Sequence, residues 1–185
     1  MELMKQIWDK ARNNKKTIVL PEGDEERTLV AAQKIVEEGL ANICLVGNKE
    51  DIENKAAKLN VNLEGVEIID STTSDKLEKY VNAFYELRKA KGMTEEEARK
   101  ILKNPVYFGM MMVKQGDADG LVSGAAHSTS DTLRPALQIL KTAPGTKLVS
   151  AFFLMNVPNC EYGEDGVFVF ADSGLNENPD SDKLA

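Results

Sequence analysis

Short apolar runs alternate along this chain with longer stretches whose apolar side chains recur every three or four positions. The short runs predict strands over residues 17–20, 42–46, 66–70 and 118–122. The longer stretches predict helices over residues 1–13, 24–38, 49–59, 75–91 and 105–115, with two more opening at Thr94 and near Ser130 to Thr132. Uninterrupted apolar strands that alternate with amphipathic helices are typical of a parallel sheet covered on both faces. The predicted fold class is therefore α/β, a parallel sheet flanked by helices.

The alternation ends after Pro144 and Gly145. Residues 148–157 and 167–171 are strand-like, and the connection between them is too short for a helical crossover, which predicts an antiparallel hairpin. A helix is predicted to start at residues 178–185. We therefore predict a first α/β domain over residues 1–145 and the start of a second over residues 146–185.

Composition narrows the class of protein. The chain has 185 residues, of which 42% are hydrophobic and 29% charged, and this balance excludes wholesale disorder. The longest apolar run, residues 148–157, has about half of the roughly 20 residues that a membrane helix needs. The N-terminus lacks the apolar core of a signal peptide. Cys44 and Cys160 lie far apart in sequence, which favours reduced thiols and a cytoplasmic location.

The net charge of −7 is unevenly distributed. Residues 161–185 hold seven acidic side chains and one basic side chain, and the middle of the chain is close to neutral. No basic stripe indicates a nucleic-acid partner, and no segment indicates a membrane partner. The near-neutral middle leaves room for a local site that binds an anionic small molecule.

Residues 116–137 are predicted to form a strand, a small polar loop and a helix. The loop lies at the carboxyl end of its strand, where ligands bind in open α/β sheets, and its N–H groups and hydroxyls face the positive end of a helix. Arg134 adds a forked donor for phosphate oxygens. The alternative is that the hydroxyls only cap the helix. The candidate phosphate-binding residues of the loop are Gly124, Ser128, Thr129 and Ser130.

Several segments resemble one known family in order and spacing. They are residues 117–139 (DADGLVSGAAHSTSDTLRPALQI), 19–27 (VLPEGDEER), 152–155 (FFLM), 170–172 (FAD) and 176–179 (NENP). Together they resemble the phosphate acetyltransferase (phosphotransacetylase) family over the whole chain. The phosphate butyryltransferases are a looser match.

The resemblance implies an acyltransferase of acetate metabolism that moves an acetyl group between coenzyme A and orthophosphate: acetyl-CoA and phosphate give acetyl phosphate and CoA. It implies two α/β domains, similar in fold to the isocitrate and isopropylmalate dehydrogenases, with the active site in the cleft between them. It implies no obligate metal and no redox cofactor, and coenzyme A takes part as a substrate. It also implies a homodimer for the full-length protein.

Two family arginines that contact coenzyme A or phosphate groups match Arg88 and Arg134. The alternative for each is an ordinary helix arginine, and Arg88 lies late in a helix, where a cation complements the dipole. His127, the one histidine of the chain, sits where a general base is conceivable, and we favour a structural hydrogen bond for it. Glu22 and Asp24 follow the first strand and either line the cleft or cap the next helix, with the cap favoured.

The length departs from the family, whose members continue well past this point. The missing part would include most of the second domain, the return segment that completes the first domain and the family's acid–base aspartate. The catalytic base is therefore expected beyond Ala185, and this chain alone is expected to be inactive. The alternatives are a phosphate butyryltransferase and a non-catalytic α/β module that binds phosphoesters and regulates a partner.

Overall fold

A computed structural model describes residues 2–146 and 148–171 of the chain. These residues fall into two compact units, of which the larger is Lys10–Lys141 and the smaller comprises the described residues of 2–9 and 142–171. The predicted division into domains over residues 1–145 and 146–185 stays a prediction.

The larger unit is built on the parallel sheet that the sequence predicts. Its strands are β1 (Thr17–Leu20), β2 (Asn42–Val46), β3 (Val66–Ile69) and β4 (Gly120–Leu121). Their order in the sheet is β3-β2-β1-β4, with every neighbouring pair parallel. Strand β1 thus lies between β2 and β4, although β2 and β3 separate β1 from β4 in sequence. This topology brings the loops after β1 and β4 to the same edge of the sheet.

Seven α-helices occur among the described residues, close to the predicted positions. They are α1 (Glu2–Asn13), α2 (Glu26–Glu37), α3 (Lys49–Leu59), α4 (Leu77–Arg88), α5 (Glu95–Leu102), α6 (Pro105–Lys114) and α7 (Thr129–Ile139). Helix α2 begins two residues later than predicted because the Glu25 carboxylate caps it, accepting from the Thr28 N–H. Helix α5 opens with the predicted capping box between Thr94 and Glu97.

Apolar side chains cover both faces of the sheet. On one face, Val19 of β1 packs with helices α4, α5 and α6, and the largest side chains buried there are Tyr80, Phe84, Phe108 and Met111. On the other face, Leu20 packs with α2 and α3 around Leu29, Leu45 and Ile52. The Met110–Met112 run, which the sequence favours as core filler, is buried in the first of these clusters.

The two ends of the predicted 118–122 strand differ from expectation. Only Gly120 and Leu121 pair with β1 as a strand, and Asp119 contacts β1 with its side chain as well as its backbone. Its Oδ2 accepts from the Thr17 N–H at 2.8 Å, and its own N–H donates to the Thr17 carbonyl at 2.9 Å. Helix α7 starts at Thr129, slightly earlier than predicted, and so Pro135 lies inside it.

The smaller unit contains the predicted antiparallel hairpin. Strand β5 (Phe152–Asn156) pairs with β6 (Val167–Ala171), with Phe152 opposite Ala171. Strand β5 is shorter than the predicted 148–157 run. The helix start predicted within residues 178–185 lies outside the described residues. No helix among the described residues has the length and apolar character needed to span a bilayer.

Candidate active site

The loops that follow β1 and β4 meet at one carboxylate. Glu22, two residues past the end of β1, is only 4% exposed and faces the loop that connects β4 to α7. Four consecutive backbone N–H groups of that loop donate to it, from Gly124 and Ala125 to Oε2 at 3.0 and 2.9 Å, and from Ala126 and His127 to Oε1 at 2.7 and 2.8 Å. We call Glu22 with these four amides the Glu22 clasp.

The histidine side chain completes the clasp. His127 Nδ1 lies 2.8 Å from Glu22 Oε1, so the structural hydrogen bond that the sequence favours for this residue is observed. Burial raises the pKa of Glu22, but the hydrogen bonds from Ala126, Ala125 and both donors of His127 outweigh burial and bring the pKa to about 2. The carboxylate is therefore ionised at neutral pH and holds the loop as a buried anion.

A second contact ties the loop to α2. Arg27 Nη2 donates to the Ala125 carbonyl at 2.6 Å, and Arg27 Nε bonds to Glu25 Oε1 at 2.6 Å. Gly124 has φ +120°, a conformation that side-chain-bearing residues rarely adopt, and the turn of the backbone there aims successive N–H groups at one point. The loop is thus shaped as an anion cradle, and in this structure the anion in it is Glu22.

This arrangement changes where a ligand can bind. The Gly124 N–H, predicted to face phosphate, donates to Glu22. The hydroxyls of the loop lie further along, at the exposed start of α7. Ser128 caps that helix, since its Oγ accepts from the Asp131 N–H at 3.2 Å and donates to Asp131 Oδ2 at 2.6 Å. The capping alternative therefore holds for Ser128, and a ligand contact by Ser128, Thr129 or Ser130 stays a prediction.

The two predicted arginines both act electrostatically on one tyrosine. Arg88 ends α4, Arg134 lies in the middle of α7, and Tyr107 of α6 stands between these helices. Tyr107 packs against Phe84 with ring centroids 5.9 Å apart and the ring planes inclined by 59°, and its hydroxyl donates to Gln138 Oε1 at 3.2 Å. Burial raises the pKa of Tyr107, and the charges of Arg134 and Arg88 act in the opposite direction. Both guanidiniums therefore lie close enough to the phenol to act on it electrostatically.

Neither arginine has a carboxylate within salt-bridge distance in the part of the chain that the structure describes, although the charge of Arg134, after the hydrogen bond from Ser128, contributes to lowering the pKa of Asp131. Arg88 Nε is buried and donates to no acceptor among the described residues. Arg134 is exposed, and neither guanidinium forms a salt bridge within the described part of the chain. A buried N–H without a partner costs free energy, which an anion that accepts from it would recover. We call Arg88, Arg134 and Tyr107 the arginine cluster.

An apolar cavity lies on the other side of β1 and carries no anion chemistry of its own. It has a volume of about 630 Å³ and is lined largely by aliphatic side chains, among them Ile18, Leu20 and Ile43. The charged side chains in its lining are Lys16, Glu22 and Arg27, and each is already paired, Lys16 with Asp119 and the other two as described. Among the described residues no group of three or more His, Cys, Asp or Glu side chains is placed to hold a metal ion.

Sequence reasoning missed two of these features. Glu22 was expected to cap a helix or line a cleft, whereas Glu25 is the cap and Glu22 binds the distant loop. Nothing in the sequence singles out Tyr107 as a site residue, because a tyrosine in an apolar helix cannot be distinguished from a core residue until its neighbours are known. The contact of Glu22 with the distant loop could be predicted from the sequence only if the pairing of β1 with β4 were already known.

Comparisons with known proteins agree with this architecture. Residues 2–185 match the family model described as "Phosphate acetyl/butaryl transferase". The chain is 57% identical over 185 residues to the phosphate acetyltransferase of Acetivibrio thermocellus, covering 100% of this chain and 55% of that protein. It is 47% identical over 184 residues to the enzyme of that name from Bacillus subtilis, again covering 55% of the relative.

Solved structures give the same picture. A phosphotransacetylase from Streptococcus pyogenes superposes with a TM-score of 0.89 at 40% identity, covering 99% of this chain and 54% of that one. The EutD phosphotransacetylase from Staphylococcus aureus gives a TM-score of 0.87 at 39% identity, covering 99% of this chain and 53% of that one. The chain thus spans about half the length of the relatives it matches. Since the family model covers nearly every residue, this chain belongs to the phosphate acetyl/butyryl transferase family.

Proposed function

We propose that this chain supplies the phosphate-binding part of an enzyme that transfers an acetyl group between coenzyme A and orthophosphate. The observation that carries the proposal is that Arg88 and Arg134, from different helices and without a salt bridge among the described residues, both act electrostatically on Tyr107, and that the buried Arg88 Nε lacks an acceptor there. Both substrates bring phosphate groups, and arginine forks suit phosphate oxygens. The relatives named phosphate acetyltransferase support the acyl chemistry.

The reaction itself places clear demands on the site. In the direction of acetyl phosphate formation, a phosphate oxygen attacks the thioester carbonyl carbon, the C–O bond forms, and the C–S bond breaks to release the CoA thiolate, which then takes up a proton. The approach of an anionic phosphate to phosphate-bearing CoA is repulsive, and the two arginines would offset that repulsion. The loop over residues 124–130 would shape the site, with Gly124 acting through its backbone conformation and Ser128, Thr129 and Ser130 as candidate donors.

We propose no catalytic base within this chain. The Nδ1 atom of His127 is engaged by Glu22, and the base that the family resemblance implies is expected beyond Ala185. The 185-residue chain alone is therefore expected to show negligible transfer. The homodimer and the cytoplasmic location also stay predictions, which size-exclusion chromatography and cell fractionation test directly.

The test is the acetyl-CoA and phosphate reaction itself. The protein expressed from its complete gene should release CoA thiol from acetyl-CoA only when phosphate is present and should form acetyl phosphate in equal amount. Rapid turnover by the 185-residue chain alone would contradict the expectation that it holds part of a site. CoA binding by the complete protein without any acetyl phosphate would favour the non-catalytic phosphoester-binding module instead.

The acyl-chain preference is a second question, because the family description covers both acetyl and butyryl transfer. Eight relatives named phosphate acetyltransferase, at 42–57% identity, favour acetyl. Comparing kcat/KM for acetyl-CoA and butyryl-CoA decides between them, and a preference for butyryl-CoA would identify a phosphate butyryltransferase.

A further inference from the structure

The ring of His127 is held at one nitrogen and open at the other. Its Nδ1 lies 2.8 Å from Oε1 of Glu22, and the Glu22 side chain is 3% exposed whereas the His127 side chain is 30% exposed. The second ring nitrogen, Nε2, has no hydrogen-bond partner within residues 2–146 and 148–171 and, unlike Arg88 Nε, is not buried. The imidazole thus turns Nδ1 toward the interior and leaves Nε2 accessible to solvent.

The Glu22 carboxylate decides which ring nitrogen carries the proton. With a pKa of about 2, Glu22 is ionised at neutral pH, and an ionised carboxylate only accepts hydrogen bonds. Nδ1 of His127 therefore carries a proton in the neutral ring as well as in the imidazolium. In the neutral ring the lone pair is consequently confined to Nε2, and the buried carboxylate behind the ring makes that nitrogen a stronger acceptor.

Nε2 is a polar atom of the Glu22 clasp that remains available to a ligand. The amides of the loop donate to Glu22, and the next side chain along, Ser128, caps α7. A neutral imidazole backed by a carboxylate repels a fully ionised oxyanion, but it attracts an oxyanion that carries its own hydroxyl. Orthophosphate keeps a P–OH group throughout the neutral pH range, whereas sulfate and the pyrophosphate bridge of coenzyme A have no such group.

Resting on the proposed function, we propose that His127 selects orthophosphate, with Nε2 accepting a hydrogen bond from the P–OH group, and that Glu22 is the positioning residue that keeps the lone pair on Nε2. The contact serves binding and orientation, and it adds to the guanidinium contacts proposed for Arg88 and Arg134. It predicts that the complete protein distinguishes phosphate from sulfate, an anion of nearly the same size and shape.

The test uses His127→Asn in the protein from the complete gene, at about pH 8, where an ordinary histidine is neutral. The asparagine amide can replace Nδ1–H as a donor to Glu22 but has no atom at the position of Nε2. The melting temperature should therefore stay within about 2 °C of wild type. The KM of phosphate should rise about tenfold, and the inhibition constant of sulfate should change by less than about twofold. An unchanged phosphate KM, or an equal loss of affinity for both anions, would overturn the proposal.

Nitrogen-15 NMR of the histidine rings gives a second measurement that needs no turnover. The signals of His127 are those absent from the spectrum of His127→Asn. In wild type Nδ1 should show the chemical shift of a protonated nitrogen and Nε2 that of an unprotonated one, and saturating phosphate, but not sulfate, should move the Nε2 signal. Glu22→Gln should spread the proton over both nitrogens, because a carboxamide can also donate to Nδ1. An unchanged tautomer in Glu22→Gln would remove the positioning role of Glu22.

The proposed function and the role of His127 fail separately. If wild type forms no acetyl phosphate, the proposed function fails, and the response of Nε2 to inorganic phosphate and to sulfate still decides what His127 does. If wild type forms acetyl phosphate while phosphate leaves the Nε2 signal unmoved, the role of His127 alone is overturned.

Discussion

His127 is joined to Glu22 twice, since its backbone N–H and its ring Nδ1 both lie 2.8 Å from Glu22 Oε1. One residue thus contributes two of the five contacts of a buried carboxylate, and the other three come from the amides just before it. The loop after β4 is therefore organised around an internal anion. The start of α7, and with it Arg134, follows directly from this loop.

Replacing Glu22 with Gln should destabilise the larger unit by about 2–4 kcal/mol. The variant leaves buried N–H donors with a single neutral acceptor and turns an NH₂ group toward them. Urea unfolding of both proteins measures the loss. Glu26→Gln is the control, because Glu26 is an exposed carboxylate of α2 in the same region, and we expect no measurable change from it. Equal stability of Glu22→Gln and wild type would mean that the clasp contributes nothing to folding.

Lowering the pH should remove the stabilisation by the Glu22 clasp over a defined pH range. The pKa of Glu22 falls from an ordinary value of 4.5 to about 2 in the folded protein. A lowered pKa means that the unfolded chain takes up the proton first, so the stabilisation is complete above pH 4.5 and disappears as the pH falls toward 2. The lowered pKa of Glu22 contributes on the order of 3 kcal/mol to the free energy of unfolding at neutral pH. The unfolding free energies of wild type and Glu22→Gln should therefore differ most above pH 5 and converge toward pH 2. A difference that stays constant with pH would contradict ionisation of Glu22 as its source.

Ser128 allows capping and ligand binding to be separated. Ser128→Asn keeps a side-chain acceptor for the helix and should leave stability within about 0.5 kcal/mol of wild type, whereas Ser128→Ala should cost about 1 kcal/mol. Ser128→Asp also caps the helix but adds a negative charge. If a phosphate group binds at this helix end, Ser128→Asp should raise the KM of that substrate several-fold while Ser128→Asn does not. Identical KM values for the Asn and Asp variants would leave Ser128 a cap alone.

Local signals predicted the elements of the larger unit well, and topology explains what they missed. The Thr94–Glu97 capping box is readable because its parts are three residues apart and act within one turn. The Glu22 clasp joins residues 102 to 105 positions apart, and it exists only because β4 pairs with β1 rather than with β3. Nothing in the spacing of the loop indicates that its amides are occupied from within the chain.

The arginine cluster shows the same limit in another form. The family resemblance pointed to Arg88 and Arg134 separately, but their shared electrostatic effect on Tyr107 depends on α6 packing against both α4 and α7. Tyr107 was indistinguishable from its apolar neighbours until Phe84 and Gln138 were placed against it. Side chains that act together across helices become visible only once the packing is known.

Gly109 sets how closely α6 approaches the sheet. A Cβ at this position would lie 2.7 Å from Leu121 Cδ1 and 2.9 Å from Val19 Cγ1. Leu121 can shift, but the branched side chain of Val19 is stiff within its strand, so helix α6 would have to move. Gly109→Ala should therefore destabilise the protein by about 1–3 kcal/mol, although alanine is the better helix former. Gly120→Ala, whose Cβ would meet Ile18 Cδ1 at an ordinary 3.4 Å, is the control and should be nearly neutral in thermal unfolding.

A double-mutant cycle tests whether Arg88 and Arg134 bind the same phosphate group. Each single change to Ala should raise the KM of the substrate concerned about tenfold or more, since a charge-assisted hydrogen bond contributes roughly 1.5–3 kcal/mol. If both guanidiniums hold one phosphate, removing the first weakens the placement of the second, so the double variant should lose less than the product of the single effects, with a coupling of about 0.5–3 kcal/mol.

Arg134→Ala combined with Lys114→Ala provides the reference pair, because Lys114 ends α6 with an exposed side chain and its effect should be additive. Strict additivity of Arg88 and Arg134 would mean that the two arginines serve separate groups, and a KM unchanged by either single variant would make that residue an ordinary helix arginine.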